Sequence, residues 1–147
     1  MLLSKDLNEE GSFSFPVTFS STFTSAEFDS STGFDSKDRY TGGVPGNKIP
    51  YVPEMQYNLR AGLVFEKLST FLNYHWQDDI FVDATNVSTI NDYGIVDWSA
   101  FYEFSSGAKV FSKVSNLTDE MYATSDMPEG LRPGAPRIAT IGLEFSF

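Results

Sequence analysis

Thr140-Ile141-Gly142-Leu143-Glu144-Phe145-Ser146-Phe147 closes the chain in strict alternation. Ile141, Leu143, Phe145 and Phe147 fall on one side of an extended backbone, and Thr140, Gly142, Glu144 and Ser146 on the other. Successive side chains of a strand point to opposite faces, so the stretch reads as a β-strand with one apolar face. A terminal segment is ordinarily exposed and polar. Four apolar side chains on one face of it call for a non-aqueous neighbour. A lipid-embedded barrel supplies one, with acyl chains against the apolar face and a wet lumen against the polar one. The competing explanation is an amphipathic edge strand of a soluble sheet, and the residues upstream decide between them.

The same period recurs five times. Phe13, Phe15, Val17, Phe19 and Phe23 oppose Ser14, Thr18, Ser20, Thr22 and Thr24, with Pro16 inside the run predicting an edge or bulged strand. Tyr57, Leu59, Ala61, Leu63 and Phe65 oppose Gln56, Asn58, Arg60 and Gly62, and Leu68, Thr70, Leu72, Tyr74 and Trp76 oppose Ser69, Asn73 and His75. Val96, Trp98, Ala100, Tyr102 and Phe104 oppose Asp97, Ser99 and Glu103; Ala108, Val110 and Val114 oppose Lys109 and Lys113. Polar residues line the second face throughout, as a water-filled lumen requires and a packed core does not.

Short connections at Glu9–Ser12, Glu66–Lys67 and Ser105–Gly107 all fall at one end of these strands. Long ones fall at the other: 29–47, broken by Gly42-Gly43 and Pro45-Gly46 and followed by the extended Ile49–Pro53; then Gln77–Asp92; then Asn116–Arg137. A soluble sandwich would mix loop lengths. The asymmetry, with strands of about ten residues, predicts an all-β, antiparallel up-and-down transmembrane β-barrel segment with short periplasmic turns and long outer loops.

Composition agrees. The 147 residues suit one domain. A formal net charge of -10 argues against nucleic acid, whose phosphates want Lys and Arg. The absence of cysteine closes off disulfides and thiolate chemistry. No apolar run is long enough for a transmembrane helix, which leaves strands free to span, because alternation dilutes hydropathy. Met1 to Glu10 has no apolar core of a signal peptide. The expectation is therefore a C-terminal piece of a longer exported protein, with 1–11 the end of a preceding strand and its turn and 12–147 the barrel segment.

Four stretches carry a family resemblance. "NKIPYVPE" (47–54) opens one strand, "VSNLTDEMY" (114–122) closes another, "RPGAPR" (132–137) precedes the last, and "TIGLEFSF" (140–147) ends the chain. Together and in this order they resemble the C-terminal end of a TonB-dependent outer-membrane receptor, of the ferric-citrate and siderophore type. The resemblance implies about six strands of a larger barrel of about twenty-two, a plug and TonB-binding box that this sequence does not show, and uptake of a ferric siderophore or related iron chelate. It also implies contact with outer-membrane lipid and lipopolysaccharide, and recognition by the barrel assembly machinery through Thr140, Gly142, Phe145 and Phe147. Other cargoes of the same family, cobalamin, oligosaccharide or peptide, stay open, as does a soluble Phe-rich β-sandwich binding module.

Candidate contacts to an anionic, aromatic ferric chelate are Arg39 and Tyr40 in the first long loop and Arg132 in the third, where the prolines and glycines around Arg132 also serve simply to shape the hairpin entry. Asp78, Asp79 and Asp83 offer oxygen ligands to a divalent cation but match no calcium loop, and read as solvated or ion-bridged to lipopolysaccharide. His75 has no second His for a metal site, and reads as lumen filler beside Arg60, Asp97, Glu103, Lys109, Lys113 and Glu144. Trp76, Tyr74, Trp98 and Tyr102 are candidates for an interfacial girdle. Asn86-Val87-Ser88 and Asn116-Leu117-Thr118 match a glycosylation pattern by chance. No nucleophile and base stand at catalytic spacing, so neither an enzyme nor a cofactor is expected.

Overall fold

The computed structural model describes residues 13–35, 38, 40–104, 107–127 and 130–145. They form strands β1 (Phe13–Ser14), β2 (Val17–Phe23), β3 (Met55–Phe65), β4 (Leu68–Gln77), β5 (Ile80–Phe81), β6 (Thr89–Ile90), β7 (Tyr93–Glu103), β8 (Ala108–Ser115), β9 (Ala123–Ser125), β10 (Arg132–Pro133) and β11 (Ile138–Phe145). The large sheet runs β1-β3-β4-β7-β8-β11, with β2 also on β3, and every pairing in it is antiparallel. β1 and β2 are two halves of one strand, so the sheet is six strands wide. β3, β4 and β7 have 11, 10 and 11 residues, the length at which a tilted strand crosses a bilayer.

Pro16 divides the first strand without shifting it. Ser14 pairs with Val64 before it and Val17 with Ala61 after it, one continuous register. The Gly62 N–H donates to the Pro16 carbonyl at 2.8 Å, and the ring nitrogen has no proton to return. As expected, this strand is an edge of the described sheet.

The register sorts the side chains into two faces. Leu59, Tyr74 and Val96 lie in one cross-strand row, Ala61, Leu72, Trp98 and Val114 in the next. This face is apolar apart from Ser21, Thr70 and Ser112. Two donors on it have partners: the Trp98 indole N–H donates to Thr70 Oγ1 at 2.9 Å, and the Thr70 hydroxyl to the Ser99 carbonyl at 3.1 Å. An unmet polar group facing hydrocarbon would cost several kcal/mol. Near the loop end Tyr57 stacks on Trp76 at 5.0 Å with Tyr74 5.8 Å away; near the turns Tyr102 meets Phe104 edge-on at 4.9 Å. Trp98 departs from the girdle expectation: it stands at the midpoint of β7, its indole proton already engaged.

The opposite face carries Arg60, Asn73 and Asp97 in one row and Glu103, Lys109 and Glu144 in another, with Lys109 3.1 Å from Glu103. It is less uniformly polar than the alternation implied. Phe71, Phe101 and Phe111 stand on it toward the turn end. Glycine explains two of them. Phe71 pairs across with Gly62 and Phe111 with Gly142, and a Cβ on either glycine would overlap the facing ring. Each ring fills the space a side chain would have taken, and the Arg60 guanidinium caps the Phe71 ring at 4.1 Å.

The long connections are the largest difference from expectation. They read as polar and irregular, yet β5 pairs with β6 and β9 with β10 inside them. The buried hydrophobic residues Ile80, Val82, Ala84 and Ile90 all belong to the second connection. No helix of the described residues is long and apolar enough to cross a membrane.

Candidate functional site

The three long connections leave the same end of the sheet and pack against one another there. Loop one (24–54) is a long paired excursion. Its backbone closes through Thr24 to Glu54, Ile49 to Ala26, Phe28 to Asn47 and Thr32 to Gly43, each N–H to carbonyl at 2.8–2.9 Å. Thr41 ties the tip: its hydroxyl accepts from the Asp35 N–H at 2.8 Å and donates to the Asp38 carbonyl at 2.7 Å.

Loop two (78–92) is a short hairpin closed by Asp83. Its carboxylate accepts the N–H groups of Ser88 at 2.8 Å, Thr85 at 3.0 Å and Val87 at 3.3 Å, and the Thr85 hydroxyl. Burial alone would raise this carboxyl. The donors outweigh it and hold the pKa below the ordinary aspartate value. No group of three His, Cys, Asp or Glu among the described residues is arranged to hold a metal.

Asn86 joins loops one and two. It sits at φ +57°, a conformation asparagine tolerates better than most residues, and offers its amide to Lys48 as a backbone would. Its Oδ1 accepts the Lys48 N–H at 2.6 Å and its Nδ2 donates to the Lys48 carbonyl at 2.9 Å. Asn47 Nδ2 donates to the Ala84 carbonyl at 2.8 Å. The Lys48 ammonium meets Glu54 at 2.9 Å, which raises its pKa, and lies 5.7 Å from the Phe81 ring centre.

Loop three (116–137) is fixed at its base by Asn116, which is 2% exposed and at φ +51°. Its backbone N–H donates to Asp97 Oδ1, its Nδ2 to the carbonyls of Glu120 and Ala135, and its Oδ1 accepts the Glu120 N–H, all at 2.8–2.9 Å. Asp119 meets Arg137 at 3.4 Å. The Gly134 N–H donates to the Tyr122 carbonyl at 2.8 Å, and the Tyr122 ring covers Gly134 and lies 4.4 Å from the ring of Tyr93. The motif "VSNLTDEMY" thus gathers the groups that seat this loop. Beside it lies an open depression of about 780 Å³, lined among others by Glu120, Met121, Leu131, Pro133 and Pro136, with Met121 95% exposed.

Ile80, Val82 and Ile90 form a small core, with Tyr51 of loop one and Ala123 of loop three packed on it. The predicted contact residues are dispersed around this cap. Tyr40, 49% exposed, is near the tip of loop one; Arg132 is exposed in β10, paired with Ser125; Arg39 lies outside the described residues. No hydrogen bond, ion pair or ring contact joins Tyr40 to Arg132 among the described residues. Thr140, Gly142 and Phe145 are in β11 opposite Lys113, Phe111 and Ala108, and Phe147 lies outside the described residues. His75 Nδ1 lies 2.9 Å from Asn58 Oδ1 on the polar face. Asn86 and Asn116, whose glycosylation pattern is a chance match, hold loop two to loop one and the base of loop three.

A family model described as TonB dependent receptor-like, beta-barrel, matches residues 6–117. No curated protein matches the chain. Among solved structures, the ferric-catecholate import receptor Fiu from E. coli K12, in its closed form, is similar with a TM-score of 0.68 at 18% identity over 90% of this chain and 20% of its own. BauA, the ferric preacinetobactin receptor of Acinetobacter baumannii, is similar with a TM-score of 0.68 at 19% identity, over 90% of this chain and 22% of its own. The siderophore receptor PiuA of the same organism gives 0.65 at 20% identity, over 98% of this chain and 20% of its own. The chain spans about a fifth of the length of these structures.

Proposed function

Because this chain belongs to the TonB-dependent receptor β-barrel family, we propose that it forms part of the wall and outer loops of a bacterial outer-membrane receptor that takes up a ferric siderophore or related iron chelate. The family is one of outer-membrane transport receptors, not of enzymes. One observation carries the assignment of parts. A two-faced sheet ends at one side in the short Glu66–Lys67 turn and, at the other, in three loops packed into a cap with its own core. A wall with an apolar face suits lipid, and a cap held by a rigid scaffold suits ligand capture. In this reading the polar face lines the lumen and meets the plug, uptake is driven by the TonB complex through that plug, and Thr140, Gly142, Phe145 and Phe147 are read by the assembly machinery. Tyr40 and Arg132, with Arg39, are the contacts proposed for cargo.

An anionic chelate is expected at Arg39 and Arg132, in loops one and three, and away from loop two, whose charge has the same sign. Residues 78–92 hold Asp78, Asp79, Asp83 and Asp92 and no Lys or Arg, and a cleft of one sign repels ligands of the same sign. The test begins with fractionation of native cells probed by antibody against residues 12–147, then growth of a deletion strain on single iron sources. A heat-modifiable outer-membrane band much larger than 16.4 kDa, with growth lost on one ferric complex, supports the proposal. A soluble band at this chain's own mass overturns it.

A further inference from the structure

Tyr51 touches all three outer loops. It lies in loop one between Pro50 and Pro53, and its N–H donates to the Phe81 carbonyl of loop two at 2.8 Å. Its ring packs on the Ile80, Val82 and Ile90 core, and its hydroxyl donates to Asp126 Oδ1 of loop three at 2.5 Å. The backbone there is at φ +62°, a region that a bulky residue adopts only when its surroundings enforce it. A tyrosine held so is not at that position for turn chemistry, which glycine or asparagine would serve better. What the strained backbone achieves is to direct a long ring, with a donor at its tip, across loop two and onto loop three.

We infer that Tyr51 is the tether that makes the three outer loops one mechanical unit, so that loop three is held in place from loop one. This goes beyond the transport reading and does not depend on which cargo is carried. Loops one and two are already joined by Asn86 and Asn47. Loops two and three touch where Ala123 meets the core. Tyr51 adds a direct link between one and three, with its ring packed against the core. Displacing either loop then displaces its partner.

The experiment is hydrogen exchange on the full-length receptor in outer-membrane vesicles without cargo, comparing wild type with Tyr51→Phe, Asp126→Asn and Tyr51→Ala. Tyr51→Phe keeps the ring and the core contact and removes the donor. It is expected to speed exchange roughly fivefold in peptides covering 120–127 as well as 47–53, while 80–90 is unchanged. Asp126→Asn should raise exchange in the same two segments. Tyr51→Ala should open all three loops. Both conservative variants should retain the heat-modifiable band, which separates loosened loops from failed assembly. Faster exchange in loop one with loop three unchanged, or no change in either conservative variant, overturns the inference. Neither outcome bears on whether the receptor takes up iron, which the growth test decides separately.

Discussion

The wall and the cap solve the same problem in opposite ways. In the six-stranded sheet Gly62 is the buried residue; large apolar side chains such as Phe19, Leu72, Ile141 and Leu143 stand exposed. The cap is smaller and far more irregular, yet Ile80, Val82, Ala84, Ile90 and Asn116 are buried in it. In the function proposed above the wall meets lipid, and it then gains nothing from hiding its apolar face. Its order comes from the hydrogen-bonded ladder and from rings laid over glycines, Phe71 on Gly62 and Phe111 on Gly142. The cap faces water, where irregular backbone needs both an apolar centre and partners for its N–H and carbonyl groups. Three isoleucine and valine side chains supply the first, and Asn86, Asn116 and Asp83 the second. Damage to the wall should therefore appear as failed assembly, and damage to the cap as loosened loops on an intact barrel.

The sharpest way to break this comparison is to put a charge on each face of one strand. Leu72 is near the middle of β4 on the apolar face, beside Ala61 and Trp98; its neighbour Asn73 points the other way, between Arg60 and Asp97. Leu72→Arg should cost about 2–4 kcal/mol, the penalty for arginine at the lipid midplane. Asn73→Arg should stay within about 0.5 kcal/mol, as a solvated substitution. Urea unfolding of the full-length barrel in lipid vesicles reads both. Equal costs would mean that the two faces do not meet lipid and water as assigned.

In the cap, the corresponding large effect is Asn116→Ala. It removes a side chain that serves the Glu120 N–H and the Glu120 and Ala135 carbonyls, and leaves those groups unmet. Leaving buried polar groups without partners costs about 1–3 kcal/mol each. The expected outcome is protease cleavage within 119–137 of a receptor that still shows a heat-modified band. Loss of that band would place Asn116 in the wall's assembly and blur the division drawn above.

The division also explains what could be read in the sequence. The wall was legible because its order is local: Tyr57, Leu59, Ala61, Leu63 and Phe65 alternate, and the observed strand keeps that alternation from end to end. Phe71 and Phe111 broke the pattern because each answers a glycine on another strand, which no window along one strand contains. The cap was illegible for the same reason on a larger scale. Asn86 acts on Lys48, 38 residues away, and Tyr51 on Asp126, 75 away. A trace did exist: Ile80, Val82 and Ala84 alternate, but the aspartates at 78, 79 and 83 made so short a run read as polar. The candidate contacts Arg39, Tyr40 and Arg132 came from residue type alone, and no local pattern joins them.

The smallest expected effect separates the cap from the wall by pH. Asp83 closes loop two through four donors, and its folded pKa lies below the ordinary 3.8. A carboxyl whose pKa is depressed by folding binds its proton more readily when unfolded. Its contribution to stability is therefore present above the unfolded value and is lost as pH falls through the folded one. Acidification below about 4 should release the 83–88 turn while the ladder of β3, β4 and β7, whose hydrogen bonds join backbone groups that do not titrate, holds. Amide exchange, corrected for the intrinsic effect of pH, should rise at Val87 and Ser88 first. Asp83→Asn keeps the shape but weakens the charge-assisted bonds, and should show the loosened turn at neutral pH with no further change on acidification. If the variant and the wild type respond to acid alike, the turn is held by something other than the Asp83 charge, and loop two owes its order to the Ile80, Val82 and Ile90 core alone.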